Sequence, residues 1–112
     1  HVVQAVELIN DKYVLYGLGN LVSNQFFSLP TQDGVIAVLE IRETADGFVV
    51  ADIEFVPTQV ERGTYRIIPI PDELKSVTSE GVRTSLEQSW SRTAAALSLL
   101  DESIAELVVP IR

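Results

Sequence analysis

Two runs of alternating apolar residues constrain the fold of this chain more than any other feature. Every second residue of 35–41 is apolar, and residues 48–56 repeat the pattern with Asp52 and Glu54 between the apolar positions. The dipeptide Asp46-Gly47 between the runs is typical of a β-turn. We therefore predict an antiparallel hairpin, with its first strand leaving a buried region for solvent. Its predicted core face carries Val35, Ala37, Leu39 and Ile41, and then Val49, Ala51, Ile53 and Phe55.

A second hairpin is predicted before this one. Residues 2–9 are mostly apolar, Asn10-Asp11-Lys12 would form a three-residue turn with Asn10 or Asp11 left-handed, and β-type residues resume at 13–18. Gly17 and Gly19 then interrupt the strand at alternate positions. This spacing predicts a bulge or a close backbone approach on one face.

The remaining elements are read from capping and breaking residues. Pro57 is expected to end the second strand of the central hairpin, and residues 63–70 form a last strand, at an edge because Pro69 cannot donate to a ladder. A short helix is predicted through Val77 with Asp72 as its N-cap.

A long amphipathic helix is predicted from an N-cap at Ser79 to about Leu100. Its apolar positions recur at spacings of three and four, the pattern of a helix lying on a sheet. Residues 101–112 fit either a helical extension or a strand. The predicted stripe consists of Val82, Leu86, Trp90, Ala94, Leu97 and Leu100, with Trp90 in the core.

Together these elements predict an α+β fold in which antiparallel hairpins form part of a β-sandwich and a C-terminal helix packs on the sheet. The 112 residues suit one domain or domain fragment, mainly β over 1–70 and mainly α over 71–112. Because the chain opens on His1 without Met and runs directly into a strand pattern, we expect that processing or a cut has removed what preceded it.

Charge and composition exclude several classes of function. The net charge of -8 supplies no basic surplus for binding phosphate backbones, so nucleic acid is not an expected partner. No apolar run approaches the roughly 20 residues of a membrane-spanning helix. Without cysteine there is no disulfide, thiolate metal site or thiol nucleophile.

Candidate catalytic residues are few. With a single histidine and carboxylates on turns or strand faces, no catalytic group is assigned within the chain. Turn or cap roles are expected for Asp33, Asp46, Asp72 and Asp101. His1 fits either an unstructured terminus or a metal ligand.

The segment from His1 to Gln25 resembles the C-terminal signature of the poly-γ-glutamate capsule-biosynthesis proteins, the CapA-like family. Members typically read His-Pro-His-Val-x-Gln, a strand, a turn, and then Tyr-Ser-Leu-Gly-Asn-Phe; here His1-Val-Val-Gln4 leads to Tyr16-Gly-Leu-Gly-Asn20. Gly17 replaces the usual Ser, and Leu21 the usual Phe. The similarity continues to about residue 70.

The resemblance implies a calcineurin-like metallophosphatase fold and a place in capsule synthesis at the bacterial cell surface, outside the cytoplasm. It implies that His1 binds a divalent metal ion in the full-length protein, where upstream Asp, Asn and His residues complete the site. The site rim would include Gly19, Asn20, Asn24 and Gln25, whose amides position a substrate or tie down the loop. The implied partners are the rest of the parent protein or other capsule-synthesis components.

Two readings of function follow. In the first, the chain belongs to a CapA-like parent protein that hydrolyses, ligates or only binds its substrate. This chain by itself is expected to hold no metal ion and to be inactive, because a catalytic metal site needs about three protein ligands. The alternative is a non-catalytic, β-rich binding or interaction module of a cell-surface assembly.

Overall fold

The computed structural model describes residues 1–23, 26 and 28–110, and its architecture is mixed α+β with antiparallel sheets. The predicted class is confirmed at this level. One sheet pairs two strands, and the other has the order β3-β4-β5. The strands are β1 Val6–Ile9, β2 Lys12–Leu15, β3 Asp33–Thr44, β4 Gly47–Val60 and β5 Ile67–Pro69. The α-helices are α1 Ile70–Glu73 and α2 Glu80–Leu97, and 3-10 helices span Leu29–Gln32 and Glu102–Leu107.

The β1–β2 hairpin has a tighter turn than expected. Ile9 pairs directly with Lys12, so the turn contains Asn10 and Asp11 alone, and the three-residue prediction is wrong. Both turn residues are left-handed, with φ of 50° and 63°. Two left-handed residues give a two-residue turn the twist of the flanking strands, which explains the shorter connection.

The β3–β4 hairpin continues further than expected, because Pro57 does not end its strand. β4 runs on to Val60, with Pro57 opposite Val35. The amide of Val35 donates to the oxygen of Leu18 (2.9 Å), away from β4, so this pair needs no hydrogen bond from Pro57. On its other side β4 pairs with β5 only from Thr58 onward. The missing N–H therefore breaks no ladder bond.

The predicted core face is buried only near the base of this hairpin. Val35, Ile53 and Phe55 are buried, whereas Leu39, Ile41 and Val49 are 43%, 56% and 44% exposed. The register shifts after the Glu40–Asp52 pair, so that Ile41 lies opposite Val50 and Ala51 is an extra residue. This β-bulge turns Val49 to the opposite face from Ile53. β3 does run from a buried base into solvent, as predicted.

The region after β4 differs from its prediction in two places. β5 has three residues rather than eight, and it forms the edge of its sheet as expected. α1 begins at Ile70 with Pro69 at the N-cap position, so Asp72 lies inside the first turn and is not the cap. Pro71 occupies an early helical position, where its missing N–H would have no intrahelical partner in any case.

Helix α2 begins as predicted, with the Ser79 hydroxyl accepting from the amide of Val82 (3.3 Å). The helix ends at Leu97 rather than near Leu100. At this end the Ser98 hydroxyl donates to the carbonyl oxygen of Ala94 (2.7 Å). The stripe is correspondingly shorter than predicted. Leu86, Ala94 and Leu97 are buried and Trp90 is half-buried, whereas Val82 and Leu100 are exposed.

Over its described residues the tail forms neither an extension of α2 nor a full strand, but a separate 3-10 helix followed by a single β-bridge. After the 3-10 helix Glu102–Leu107, Val108 pairs in parallel with Phe55, and the Val109 amide donates to the Phe55 oxygen (2.9 Å). The indole N–H of Trp90 donates to the Val109 oxygen (2.7 Å). The buried apolar side chains form two clusters, a main one that includes Phe55 and Leu97 and a smaller one of Ile68, Ile70, Leu74 and Leu86. Trp90 packs against both clusters, so this hydrogen bond joins the tail to the centre of the molecule.

Candidate functional site

The predicted metal ligand lies beside the predicted rim loop. His1 is exposed, and its Nδ1 lies 3.5 Å from the hydroxyl oxygen of Ser23. The Ser23 amide in turn donates to the Asn20 side-chain oxygen (2.8 Å). The structure therefore brings His1 and Asn20 together through Ser23, and Gly19 precedes Asn20 in the chain. The predicted rim residues Asn24 and Gln25 lie outside the described residues.

Asn20 holds the loop together from a buried position. Its side-chain nitrogen donates to the carbonyl oxygens of Ser23 (3.0 Å) and Thr31 (2.8 Å), and its main-chain amide donates to that of Asp33 (2.9 Å). Both hydrogens of the amide group are thus engaged within the chain. In this arrangement the Asn20 side chain ties both ends of the loop, and its donors are not free for a ligand.

Gly19 and Gly34 form a crossing, a close antiparallel approach of two chain segments that leaves no room for a side chain at either position. A Cβ atom at Gly19 would lie 2.5 Å from the Asp33 oxygen, and its φ of 78° disfavours any side chain. The crossing partner, Gly34, is equally confined, because a Cβ there would lie 2.5 Å from the Asn20 oxygen. The Gly19–Gly34 bridge joins the first hairpin to β3. It fixes the position of the loop that faces His1.

Beneath this crossing lies a buried ion pair that the sequence analysis missed. Asp33 is 2% exposed and accepts from the Ser89 hydroxyl (2.6 Å) and from Nε and a terminal nitrogen of Arg92 (both 2.8 Å). The hydrogen bond to Asp33 raises the pKa of Arg92, and burial opposes this rise. The prediction of a turn role for the Asp33 side chain was wrong.

The sequence of helix α2 contains a pattern that indicates this ion-pair site. Ser89 and Thr93 lie three and seven residues after Leu86, and Leu97 follows, so two polar residues occupy the buried stripe. A buried polar side chain in a folded protein generally has a hydrogen-bond partner; Ser89 has one, whereas the Thr93 hydroxyl has none among the described residues. The stripe therefore indicated a polar contact beneath the helix, although nothing in the sequence identified Asp33 as the partner, 56 residues from Ser89.

The described residues do not by themselves fit a divalent metal ion. Within them, no group of three His, Asp or Glu side chains lies close enough to hold one. His1 offers one imidazole, and the nearby carboxylate of Asp33 is engaged by Arg92. A catalytic ion needs about three protein ligands. Any metal bound at His1 would depend on ligands from outside the described residues.

An open groove of about 650 Å³ separates the turn of the first hairpin from the outer part of the second. Its walls are mostly apolar, with Tyr13 and Leu15 on one side and Leu39, Phe48 and Val50 on the other. The polar turn Asn10-Asp11-Lys12 forms one rim. Because most of its lining is apolar, the groove has the character of a packing surface.

Of the helices described over residues 1–110, none combines the length and apolarity required to cross a membrane. No family model, curated protein or solved structure matches the chain. The assignment to a family accordingly stays a proposal that rests on the residues of 1–70 and on the geometry around His1.

Proposed function

We propose that this chain is the C-terminal portion of a CapA-like, metallophosphatase-fold protein of bacterial capsule or poly-γ-glutamate synthesis. In that protein it completes the fold, its two sheets form part of a β-sandwich, and His1 donates one ligand to a divalent metal site supplied mainly by upstream residues. The protein acts outside the cytoplasm, at the cell surface. Its partners are the rest of the parent chain and other capsule-synthesis components.

The observation that carries the proposal is the position of His1 against the loop after Gly19. The family resemblance requires the histidine and the Gly-Asn segment to lie together although about 18 residues separate them, and Ser23 and Asn20 link them through contacts of 3.5 and 2.8 Å. A metal-binding histidine commonly engages its second ring nitrogen with a polar neighbour. With Nδ1 next to Ser23, Nε2 is the nitrogen left for a metal.

The exposed apolar groove supports a larger parent fold. Leu39, Phe48 and Val50 continue the core face of the sheet beyond the part that α2 and the tail cover. In a sandwich, such a face is covered by a second sheet. We propose that upstream strands of the parent protein fill the groove.

The first experiment is to determine the residues that precede His1 in the reading frame. The proposal requires Gly-x-His-Pro immediately before His1 and Asp-, Asn- and His-containing metal motifs further upstream. A reading frame that lacks these motifs would contradict the proposal.

The second experiment measures the metal content of the purified full-length protein. We expect a bound divalent ion in the parent protein and a clear loss of it in His1→Ala, because removing a ligand weakens the site. Lys12→Ala, an exposed change in the first hairpin and outside the two motifs of the signature, serves as the control and should retain the metal. Equal metal content in all three proteins would rule out His1 as a ligand.

The second candidate is a non-catalytic binding module of a cell-surface assembly. It is favoured by the exposed apolar surfaces and by the absence, within the described residues, of a group that could hold a metal. This candidate predicts a full-length protein that contains no stoichiometric metal ion. The metal measurement therefore separates the two candidates.

A further inference from the structure

The outer part of the β3–β4 hairpin projects from the body as a two-stranded arm, defined here as residues 38–52. The molecule measures 50 × 28 × 25 Å, longest in one direction. Apolar side chains are exposed on both faces of the arm. They are Val38, Leu39, Ile41, Phe48, Val49 and Val50. A two-stranded ribbon of this kind is marginal in water unless something else packs on it.

The outer edge of β3 lacks a partner along the arm. The amide of Val35 points away from β4 toward Leu18, and because backbone groups alternate along a strand, those of Leu39, Ile41 and Glu43 point the same way. Within the described residues, the main-chain hydrogen bonds between β3 and the segment that follows the first hairpin lie only at Asp33 and Val35, beside the Gly19–Gly34 bridge. The edge from residue 36 to 44 therefore presents a row of free donors and acceptors.

The charges of this edge are arranged for self-recognition. Glu40 lies directly opposite Asp52 on β4, which places two carboxylates in an unfavourable cross-strand pair. Neither Glu40 nor Arg42 belongs to a salt bridge among the described residues. The edge thus offers both signs of charge, two residues apart, on one face of the strand.

We propose that the arm is a homodimerisation surface, on which β3 pairs antiparallel with β3 of a second copy, Ile41 opposite Ile41. In this register the outward groups of Leu39, Ile41 and Glu43 meet their counterparts and form ladder bonds. Glu40 then lies opposite Arg42 of the second copy, and Arg42 opposite its Glu40. The four charges alternate in sign, which offsets the unfavourable contact with Asp52.

The same register joins the two apolar faces. Ile41 and Val50 are cross-strand neighbours, as are Leu39 and Ile53, so they share one face of β3–β4. Pairing two copies edge to edge places Ile41 against its counterpart and Leu39 against Glu43 of the second copy, so the apolar face continues across the four strands at Ile41 and is bounded there by the two Glu43 carboxylates. The proposal is independent of the proposed function, since it invokes neither the metal nor the upstream chain.

The test is the oligomeric state of the 112-residue chain, measured by sedimentation equilibrium over a wide range of concentrations. We expect a monomer–dimer equilibrium. Arg42→Glu and Glu40→Arg should each raise the dissociation constant about tenfold or more, because two cross-strand attractions become repulsions. The double variant Glu40→Arg/Arg42→Glu should restore the dissociation constant of the unchanged chain, since opposite charges again face each other. Arg62→Glu, with the same change in net charge as Arg42→Glu but outside the arm, is the control and should leave the constant unchanged.

Hydrogen exchange gives the register independently of stability. On dimerisation, the amides of Leu39, Ile41 and Glu43 should become protected, whereas those of Glu40 and Arg42, which point toward β4, should change little. A chain that stays monomeric at all concentrations would overturn the proposal. So would association that the double variant does not restore, or that Arg62→Glu weakens equally.

Discussion

At the scale of single residues, the junction of the two hairpins with α2 depends on one ion pair. Asp33 is almost completely buried, and Arg92 keeps 28% of its side chain exposed. Ser89 and the two Arg92 nitrogens give the carboxylate three short hydrogen bonds. A buried carboxylate is tolerated only with such compensation. The pair therefore fixes the start of β3 against the helix.

Asp33→Asn should destabilise the fold by about 3 kcal/mol, because it leaves Arg92 facing a neutral group in a partly buried site. Urea unfolding measures the difference. Asp46→Asn, the same chemical change at an exposed turn, is the matched control and should alter the free energy of unfolding by less than about 0.5 kcal/mol. If the two variants lose equal stability, the ion pair is not what holds this junction.

Two of the glycines with positive φ, Gly19 and Gly63, allow the cost of conformation to be separated from the cost of contact. Gly63 has φ of 93° and nothing within 4 Å of the position that a Cβ would take, whereas a Cβ at Gly19 would collide with the Asp33 oxygen. Gly63→Ala should cost about 1–2 kcal/mol in unfolding free energy. Gly19→Ala should cost at least about 1 kcal/mol more, because the backbone must move to admit the methyl group. Equal losses would show that the crossing has room for a methyl group.

At the scale of elements, short segments at the end of the chain are set by side-chain caps. Asp101 accepts from the hydroxyl of Ser103 (2.7 Å) and from its amide (3.0 Å), at the start of the 3-10 helix Glu102–Leu107. This is the cap role predicted for Asp101. The cap directs the chain toward Val108, which then pairs with Phe55.

The Asp101 cap predicts a specific pH dependence. The Ser103 hydroxyl, followed by the Ser103 amide, lowers the pKa of Asp101 below its ordinary value. A lowered folded-state pKa contributes stability that is present above the unfolded-state pKa of about 3.9 and is lost as pH falls through the folded-state pKa. The stability advantage of the native chain over Asp101→Asn should therefore shrink as the solution is acidified below about pH 5.

Titration of the Asp101 carboxyl by NMR checks the cause directly. Ser103→Ala removes the hydroxyl donor and should return the pKa of Asp101 toward its ordinary value. An unchanged pKa in Ser103→Ala would assign the shift to something other than this hydrogen bond.

At the scale of the whole molecule, the structure divides into a packed body and a projecting arm. Helix α2, the tail and the base of β3–β4 share the main hydrophobic cluster, which includes Val35, Phe55, Leu97 and Val108. The arm adds apolar side chains but buries few of them. Most of the stability should therefore reside in the body, since burial of apolar area is the main favourable term in folding.

Shortening the arm tests this division. Replacing residues 41–51 with Asn-Gly would join Glu40 to Asp52, which already face each other, through a favoured two-residue turn. At concentrations where the chain is monomeric, we expect the free energy of unfolding to change by less than about 1 kcal/mol. Small-angle scattering should show a more compact particle. Loss of several kcal/mol would mean that the arm contributes to the stability of the body.

Local patterns predicted most of the elements because their causes lie within a few residues. Alternation around Asp46-Gly47 predicted the central hairpin, Ser79 the start of α2, and Pro69 an edge strand. Two of the errors occur where a distant partner decides the outcome. Pro57 remains in β4 because of where β5 ends, and Val49 changes face because of one extra residue in the ladder.

The candidate site likewise combines features that local sequence predicted with contacts that only the tertiary structure shows. The sequence by itself determined the mixed α+β class and a close backbone approach at Gly19, because backbone preference and side-chain period are encoded locally. Only the tertiary structure placed His1 beside Ser23 and joined Asp33 to Arg92, 59 residues away. Contacts between remote residues depend on how the elements pack, and no local pattern specifies the partner of a buried charge.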